Sequence, residues 1–352
     1  MKILLFTQAH YSDIIELVKH LSKRVEIILV VPEDISYEFN LRSKVYKIPI
    51  EGYSKIRNIF ALRKLSMIIE KESPDLINFN HYGNPYLWFI KLFFYKTKLV
   101  NTVHDVNPNH GDGNLFHKIW FSVSNKLSDA IIVLCNYNRR LLEKHKVSTK
   151  IYTSKLGPIN SYNADRNFKL SKENNALFFG RIRRYKGLKY LLNAIPSIKS
   201  KIPDFKLTVA GSGGEVEKWS EYQANKDNIN LINRYINDDE IYDLFVQSKV
   251  TVLPYIEASQ SGPLMLSLSF GRPVVATTVG SLPEYVSISK SGILVSPKST
   301  KSLAKAIVRL FNNRDLFQRL SKNSREALNG KLGYSEITQT YVKIFRNILS
   351  ND

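Results

Sequence analysis

The sequence predicts an α/β protein of two consecutive domains, each a doubly wound parallel sheet with helices on both faces. Three observations lead there. Short β-rich apolar runs alternate with segments of helical periodicity almost from end to end, the pattern of parallel sheets. The alternation breaks once, in an unperiodic stretch from Ser154 to Asn175 that holds Gly157-Pro158 and several Asn and Ser residues, and then restarts. A chain of 352 residues with 43% hydrophobic composition buries ample core and fits two domains better than one. The expected division is 1–155 and 170–330, joined by a linker at 156–169.

In the first half, Lys2–Thr7 reads as a strand, Ser12–Leu21 as a helix and Val25–Val31 as a second strand. Ile56–Lys71 has helical periodicity, and Leu76–Phe79, Lys98–Val103 and Ala130–Leu134 are further strands, the last preceded by a helix over Leu115–Leu127. After the linker the strands are Ala176–Phe179, Phe205–Ala210, Ile229–Ile232, Val250–Leu253 and Val274–Ala276. Helices are expected at Gly187–Ser200, Glu215–Asn225, Asp239–Gln247, Gly262–Phe270 and Lys301–Leu310. An amphipathic helix over Tyr334–Leu349 ends the chain.

The net charge of +20 admits three partners: nucleic acid, an anionic membrane or phosphorylated substrates. A Lys-rich compositional bias, alongside abundant Asn, Ile and Tyr, accounts for it equally well. No zinc-ligand spacing, helix-turn-helix signature or RNP-type aromatic motif accompanies the charge, so nucleic acid is not an expected partner. The single Cys135 excludes a disulfide framework. MKILLFTQAH reads as a buried strand from the first residues, which leaves no expected secretory leader. The most membrane-like run, Pro85–Tyr95, is too short to span a bilayer and carries Lys91. The expected location is cytoplasmic, or peripheral on the inner face of the cell membrane.

The most informative stretch runs from Leu253 to Val286, LPYIEASQSGPLMLSLSFGRPVVATTVGSLPEYV: strand, acidic loop, helix, Gly-Arg-Pro turn, strand and a second acidic loop. Glu257 falls just beyond the carboxyl end of a strand, and Ser261-Gly262-Pro263 opens a helix whose free N–H groups attract anions. A carboxylate and a helix N-terminus on one rim suit a ligand with hydroxyls at one end and phosphates at the other, such as a nucleotide sugar. Upstream, in FFGRIRRYKGLKYLLNAI, Arg181 and Lys186 follow a strand end and are placed to meet an anion there, although Arg183, Arg184 and Lys189 also read as a solvated basic loop. Thr208–Gly214 (TVAGSGG) is a glycine-rich strand-end turn without a GxxxxGK[ST] phosphate loop. No Asp-x-Asp metal signature stands at a strand end, and Asp238-Asp239 reads as a helix start.

These two segments, in this order and spacing, resemble the donor site of glycosyltransferase family 4, retaining enzymes of the GT-B fold in which two Rossmann-like domains face each other across a cleft. The resemblance implies that Gly180, Arg181 and Lys186 hold the donor diphosphate without a metal or other cofactor, and that Glu257 holds the donor sugar. Tyr235 and Ile236, in Asn233-Arg234-Tyr235-Ile236, sit where the family places the nucleotide base. His104, at the end of Lys98–Val103, matches the family's histidine facing the sugar from the other domain; a histidine bonded locally to Asp105 is the alternative. It also implies a final helix crossing back to the first domain.

The chain departs from the family pattern in two places. Leu266 stands where a second Glu grips the ribose, so Glu257-Ala-Ser-Gln-Ser-Gly262 is a variant motif in which Gln260, Ser261 and Gly262 take up the polar contacts. Glu284 is either the substitute ribose ligand or a residue complementing a helix dipole. His10 and Tyr11 occupy the loop where relatives carry a Gly-Gly pair, and Asn107–Asn114 reads as a mobile loop admitting the acceptor. Lys55–Lys71 and Trp88–Lys98 mix basic and large apolar residues, which suits either an anionic membrane surface or core-facing helices with solvated lysines. The expected activity is hexosyl transfer from a nucleotide-sugar donor to a glycan or polyprenyl-linked acceptor in bacterial surface polysaccharide synthesis. A non-catalytic nucleotide-sugar-binding subunit and an epimerase or hydrolase on the same fold are the alternatives.

Overall fold

The computed structural model describes residues 1–8, 11–35, 41–49, 57–80, 86–106, 115–159 and 174–350. The chain divides into two compact units, Met1–Gly157 with Tyr334–Asp352, and Pro158–Gly333. His10, the Asn107–Asn114 segment and most of the 156–169 linker lie outside the described residues.

The first unit runs β1 (Lys2–Thr7), α1 (Tyr11–Leu21), β2 (Glu26–Pro32), β3 (Lys44–Ile48), α2 (Arg57–Glu72), β4 (Leu76–Asn80), α3 (Tyr86–Phe93), β5 (Lys98–Val103), α4 (Leu115–Leu127), β6 (Ala130–Val133), α5 (Asn136–Lys144) and β7 (Lys150–Thr153). Its strands form one sheet in the order β3-β2-β1-β4-β5-β6-β7, and every pairing is parallel. Right-handed crossovers then fix the layers. The step from β1 to β2 puts α1 on one face; the opposite steps from β3 through β6 put α2, α3 and α4 on the other. Ala61, Leu65, Ile68, Ile69 and Ile90 of α2 and α3 accordingly share a buried core with Leu4, Phe6, Ile28 and Val30.

β3, α5 and β7 have no counterpart in the sequence-based expectation, and α3 has one only in the alternative reading of Trp88–Lys98 as a core-facing helix. β3 is an edge strand whose half-exposed pattern includes Lys44 and Lys47, so it lacks the apolar run of a central strand. α5 buries only Asn138 and Leu142, too sparse a stripe to read as helical periodicity.

The β3 edge is tied to the end of α2 through Glu72. Its buried carboxylate accepts from Tyr46 Oη at 2.6 Å and Lys44 Nζ at 2.9 Å, with Lys2 Nζ at 3.6 Å. Lys44 and Tyr46 together hold the Glu72 carboxyl down at about 2. A carboxylate depressed in the folded state contributes stability above its unfolded pKa of roughly 4.3, and that contribution is lost as pH falls toward 2. Glu72→Gln is expected to lower stability at pH 7 and to flatten its fall between these limits. Urea unfolding from neutral to acid pH checks this; an unchanged acid limb would contradict it.

The second unit runs β8 (Asn175–Phe179), α6 (Leu188–Leu192), α7 (Ile195–Lys199), β9 (Lys206–Ala210), α8 (Ser220–Gln223), β10 (Ile229–Ile232), α9 (Asp238–Val246), β11 (Val250–Leu253), α10 (Gly262–Ser269), β12 (Val274–Thr277), α11 (Leu282–Ser289), β13 (Gly292–Val295), α12 (Thr300–Asn312) and α13 (Arg314–Asn329). Its sheet is again all parallel, in the order β10-β9-β8-β11-β12-β13. The helix expected over Gly187–Ser200 is divided into α6 and α7, with Pro196 in the first turn of the second, where its missing N–H costs nothing. The helix expected over Glu215–Asn225 is reduced to a 3₁₀ turn at Val216–Lys218 and the short α8. The second acidic loop is instead α11, with Glu284 in its first turn.

The chain ends in α14 (Tyr334–Leu349), which belongs to the first unit and packs on α1. Tyr334 stacks on His20 with ring centroids 4.8 Å apart, and Arg24 Nε donates to Thr338 Oγ1 at 3.2 Å. Burial pushes the Tyr334 phenol well up, helped by the Asp13 and Glu16 charges. Among the described residues no helix is long and apolar enough to cross a membrane.

Candidate functional site

The site is built at the carboxyl edge of the second sheet, where the loops after β8, β9, β11 and β12 meet. β8 delivers Gly180, whose N–H donates to Ala210 O at 2.9 Å and whose φ is +103°. A Cβ there would stand 2.9 Å from Lys186 Nζ and 3.4 Å from the Pro263 ring, so the lysine ammonium and the first turn of α10 flank the same backbone position. The 3₁₀ turn Arg184–Lys186 carries Lys186 back beneath this loop, and Tyr185 O accepts from Ile256 N–H at 2.7 Å. That bond ties the Arg181–Lys186 loop to the segment bearing Glu257.

Ser261 is the N-cap of α10: its Oγ accepts from Leu264 N–H at 3.2 Å, while Pro263 occupies the first turn. Gly262 has no atom within 4 Å of a notional Cβ, so the backbone at this helix start is open to an approaching group. Gln260 Nε2 is buried without a hydrogen-bond partner among the described residues, a donor that water or a ligand must satisfy. Gly280 closes the arrangement from the β12 side. Its φ is +57°, and a Cβ on it would fall 1.8 Å from Ala258 O.

Lys186 is the electrostatic centre. It is 8% exposed, lies 5.3 Å from the centroid of the Tyr255 ring, and has no carboxylate within ion-pair distance among the described residues. Its pKa is lowered to about 8, chiefly by burial, with Tyr185 raising it and the Arg181 charge lowering it. Tyr255, buried and within 3.4 Å of Ser261 Oγ, is itself pushed up to about 12 by burial. A buried cation without a counter-ion is costly to hold and is a ready partner for an anion. Sequence reasoning passed over Tyr255; the only signal was an aromatic residue placed directly after the strand-terminating Pro254.

The structure therefore gathers Gly180, Lys186, Ser261 and Gly262, with Arg181 exposed at the mouth of the loop and Glu257 exposed beyond Tyr255. Leu266, on α10, is buried and offers no polar group. Glu284 is half-buried in the first turn of α11, where its charge complements the helix dipole. Tyr235 and Ile236 lie between β10 and α9, the former largely exposed and the latter buried. Neighbouring Arg234 is engaged with both oxygens of Glu240, whose side chain also accepts from Asn237 N–H in the capping box of α9.

In the first unit, His104 follows β5 and is buried. Its Nε2 lies 2.9 Å from Asn80 Oδ1, at the end of β4, and its carbonyl accepts from Asn138 Nδ2 at 3.0 Å. His104 and Asn80 line a cavity of about 20 Å³ together with Tyr334 and Tyr341 of α14, room for about one water.

Comparison with known proteins agrees with this architecture. Residues 14–153 match the family described as Glycosyltransferase Family 4, and residues 173–313 match Glycosyl transferases group 1. An uncharacterized glycosyltransferase of Methanocaldococcus jannaschii is 25% identical over 89% of this chain and 88% of its own length. The O-antigen chain mannosyltransferase C of Escherichia coli is 26% identical over 51% of this chain, which spans about half of that relative (48%). Anabaena HepE, solved in complex with UDP, superposes with a TM-score of 0.76 at 14% identity, covering 99% of this chain and 100% of that one. The chain belongs to the family 4 type of glycosyltransferases, with the two Rossmann-like domains of the GT-B fold.

Proposed function

We propose that the protein is a retaining, metal-independent glycosyltransferase. It takes a hexosyl unit from a nucleotide diphosphate sugar and passes it to a glycan or polyprenyl-linked acceptor in bacterial surface polysaccharide synthesis. The observation that carries this reading is the buried Lys186 ammonium, set beside Gly180 and the open N-terminus of α10 with no carboxylate among the described residues to neutralise it. The polysaccharide role draws on the E. coli relative, whose name places it in O-antigen synthesis.

In this reading the diphosphate lies over Gly180 and the α10 N-terminus, held by Lys186 and Arg181. The bond between the sugar's anomeric carbon and the phosphate oxygen breaks, and the phosphate leaves with the electron pair. Cations fixed beforehand stabilise that growing charge more in the transition state than in the ground state. The acceptor hydroxyl bonds to the anomeric carbon on the same face, and its proton passes to the departing phosphate. Glu257 and Gln260 hold the sugar hydroxyls, Tyr235 and Ile236 the base, and His104 approaches from the first domain.

A thermal-shift screen of UDP-, GDP-, ADP- and dTDP-sugars tests the donor site. One donor is expected to stabilise the wild type, with its effect lost in Arg181→Ala; no shift with any of them would sink the reading. Turnover is expected to be unchanged in EDTA. Activity abolished by EDTA and restored by magnesium or manganese would overturn metal independence.

A further inference from the structure

Among the described residues the exposed large apolar side chains are not scattered. Apart from Met1 and Tyr235 they are Phe60, Met67, Leu92, Phe93, Tyr95 and Ile119, each 52–70% exposed. All six stand on α2, on α3 and the turn after it, or on α4, the layer covering one face of the first sheet. α3 packs against both α2 and α4, so these segments are neighbours. Their inward side chains already fill the core, and the outward ones are surplus to folding. Phe60 and Met67 lie two helical turns apart, on the stripe that also carries Arg63, Lys64 and Lys71. Lys96 and Lys126 are exposed beside the other apolar residues. Among the described residues the exposed acid of these helices is Glu70; Asp75 and Asp129, just beyond α2 and α4, are engaged by the Lys2 N–H at 2.7 Å and by Lys91 at 2.9 Å.

We propose that this helical layer docks the protein on an anionic phospholipid bilayer. The aromatic and aliphatic side chains enter the boundary between headgroups and acyl chains, and the cations meet the headgroup phosphates. Charge complementarity selects this occupant. Single apolar side chains interleaved with flexible lysines fit a fluid surface of uniform negative charge, which supplies no fixed pockets and needs none. The inference stands apart from the transfer reading, because vesicle binding is measured without donor and donor binding without vesicles.

The test is co-sedimentation of the full chain with vesicles of phosphatidylglycerol and phosphatidylcholine, and of phosphatidylcholine alone, at low and high salt. Wild type is expected to bind the anionic vesicles and to be released by salt. Leu92→Ser/Phe93→Ser and Lys64→Glu/Lys96→Glu are each expected to bind about tenfold more weakly or worse, with unchanged melting temperature and donor-induced shift. Wild type left in the supernatant with anionic vesicles overturns the proposal, as does either variant binding like wild type. A dimer in sedimentation equilibrium that Leu92→Ser/Phe93→Ser dissociates also overturns it, by assigning the face to a second copy of the chain.

Discussion

Lys186→Met is expected to make the fold more stable at neutral pH and to abolish donor binding. The two effects share one cause. The Lys186 ammonium is buried over Tyr255, and burial brings its pKa down to about 8. An unfolded lysine titrates at roughly 10.4, and each unit of difference corresponds to about 1.4 kcal/mol. Holding the charged form therefore costs on the order of 3 kcal/mol at pH 7. Below pH 8 the whole cost is present. Between pH 8 and about 10.4 the unfolded chain binds more protons than the native one, so wild-type stability rises with pH across that window. Methionine preserves length and shape and removes the charge. Its advantage in urea unfolding is expected to be largest at pH 7 and to vanish by about pH 10.4.

The same pKa sets the donor's pH dependence. A diphosphate stabilises the charged lysine, so above pH 8 donor binding must take up a proton. Wild-type donor affinity is expected to fall by about tenfold per pH unit there. A variant that is less stable at pH 7 yet still binds donor would remove Lys186 from the centre of the site.

Gly280→Ala is expected to be among the most damaging single-methyl additions in the protein. Its Cβ would fall 1.8 Å from Ala258 O, a backbone atom, at a φ of +57° that L-residues rarely adopt. Steric relief requires moving the Glu257–Ser261 segment away from α11. A loss of about 3 kcal/mol or more is expected, together with weakened donor binding. Gly262→Ala is the contrast. Nothing lies within 4 Å of its notional Cβ and its φ is not in the left-handed region. Its stability is expected to change by less than about 0.5 kcal/mol. Its donor affinity is expected to fall, because a methyl would stand where the phosphates approach the helix start. Equal unfolding midpoints for the two variants would contradict the packing described for Gly280.

The central strands were legible because they are buried on both faces and read as continuous apolar runs; Lys98–Val103 and Val250–Leu253 fall where the pattern puts them. β3 was not, because an edge strand carries lysines on its open side. α11 was legible only as one of two alternatives at Glu284: Ser281-Leu-Pro-Glu is as good a turn as a helix start, and only packing against β12 and α13 decides between them.

At the candidate site, what the sequence determined by itself is local. Arg181 and Glu257 follow strand ends, Lys186 precedes a helix, and Ser261-Gly262-Pro263 caps one, since strand termination, capping and proline placement depend on near neighbours in the chain. Only the tertiary structure decided that Lys186 is buried over Tyr255 beside Gly180 and Pro263, and that Gly280 closes on Ala258. A pKa is set by desolvation and nearby charge, and a steric contact by a fraction of an ångström. Both are fixed by residues far apart in the chain that meet only when the sheet is assembled.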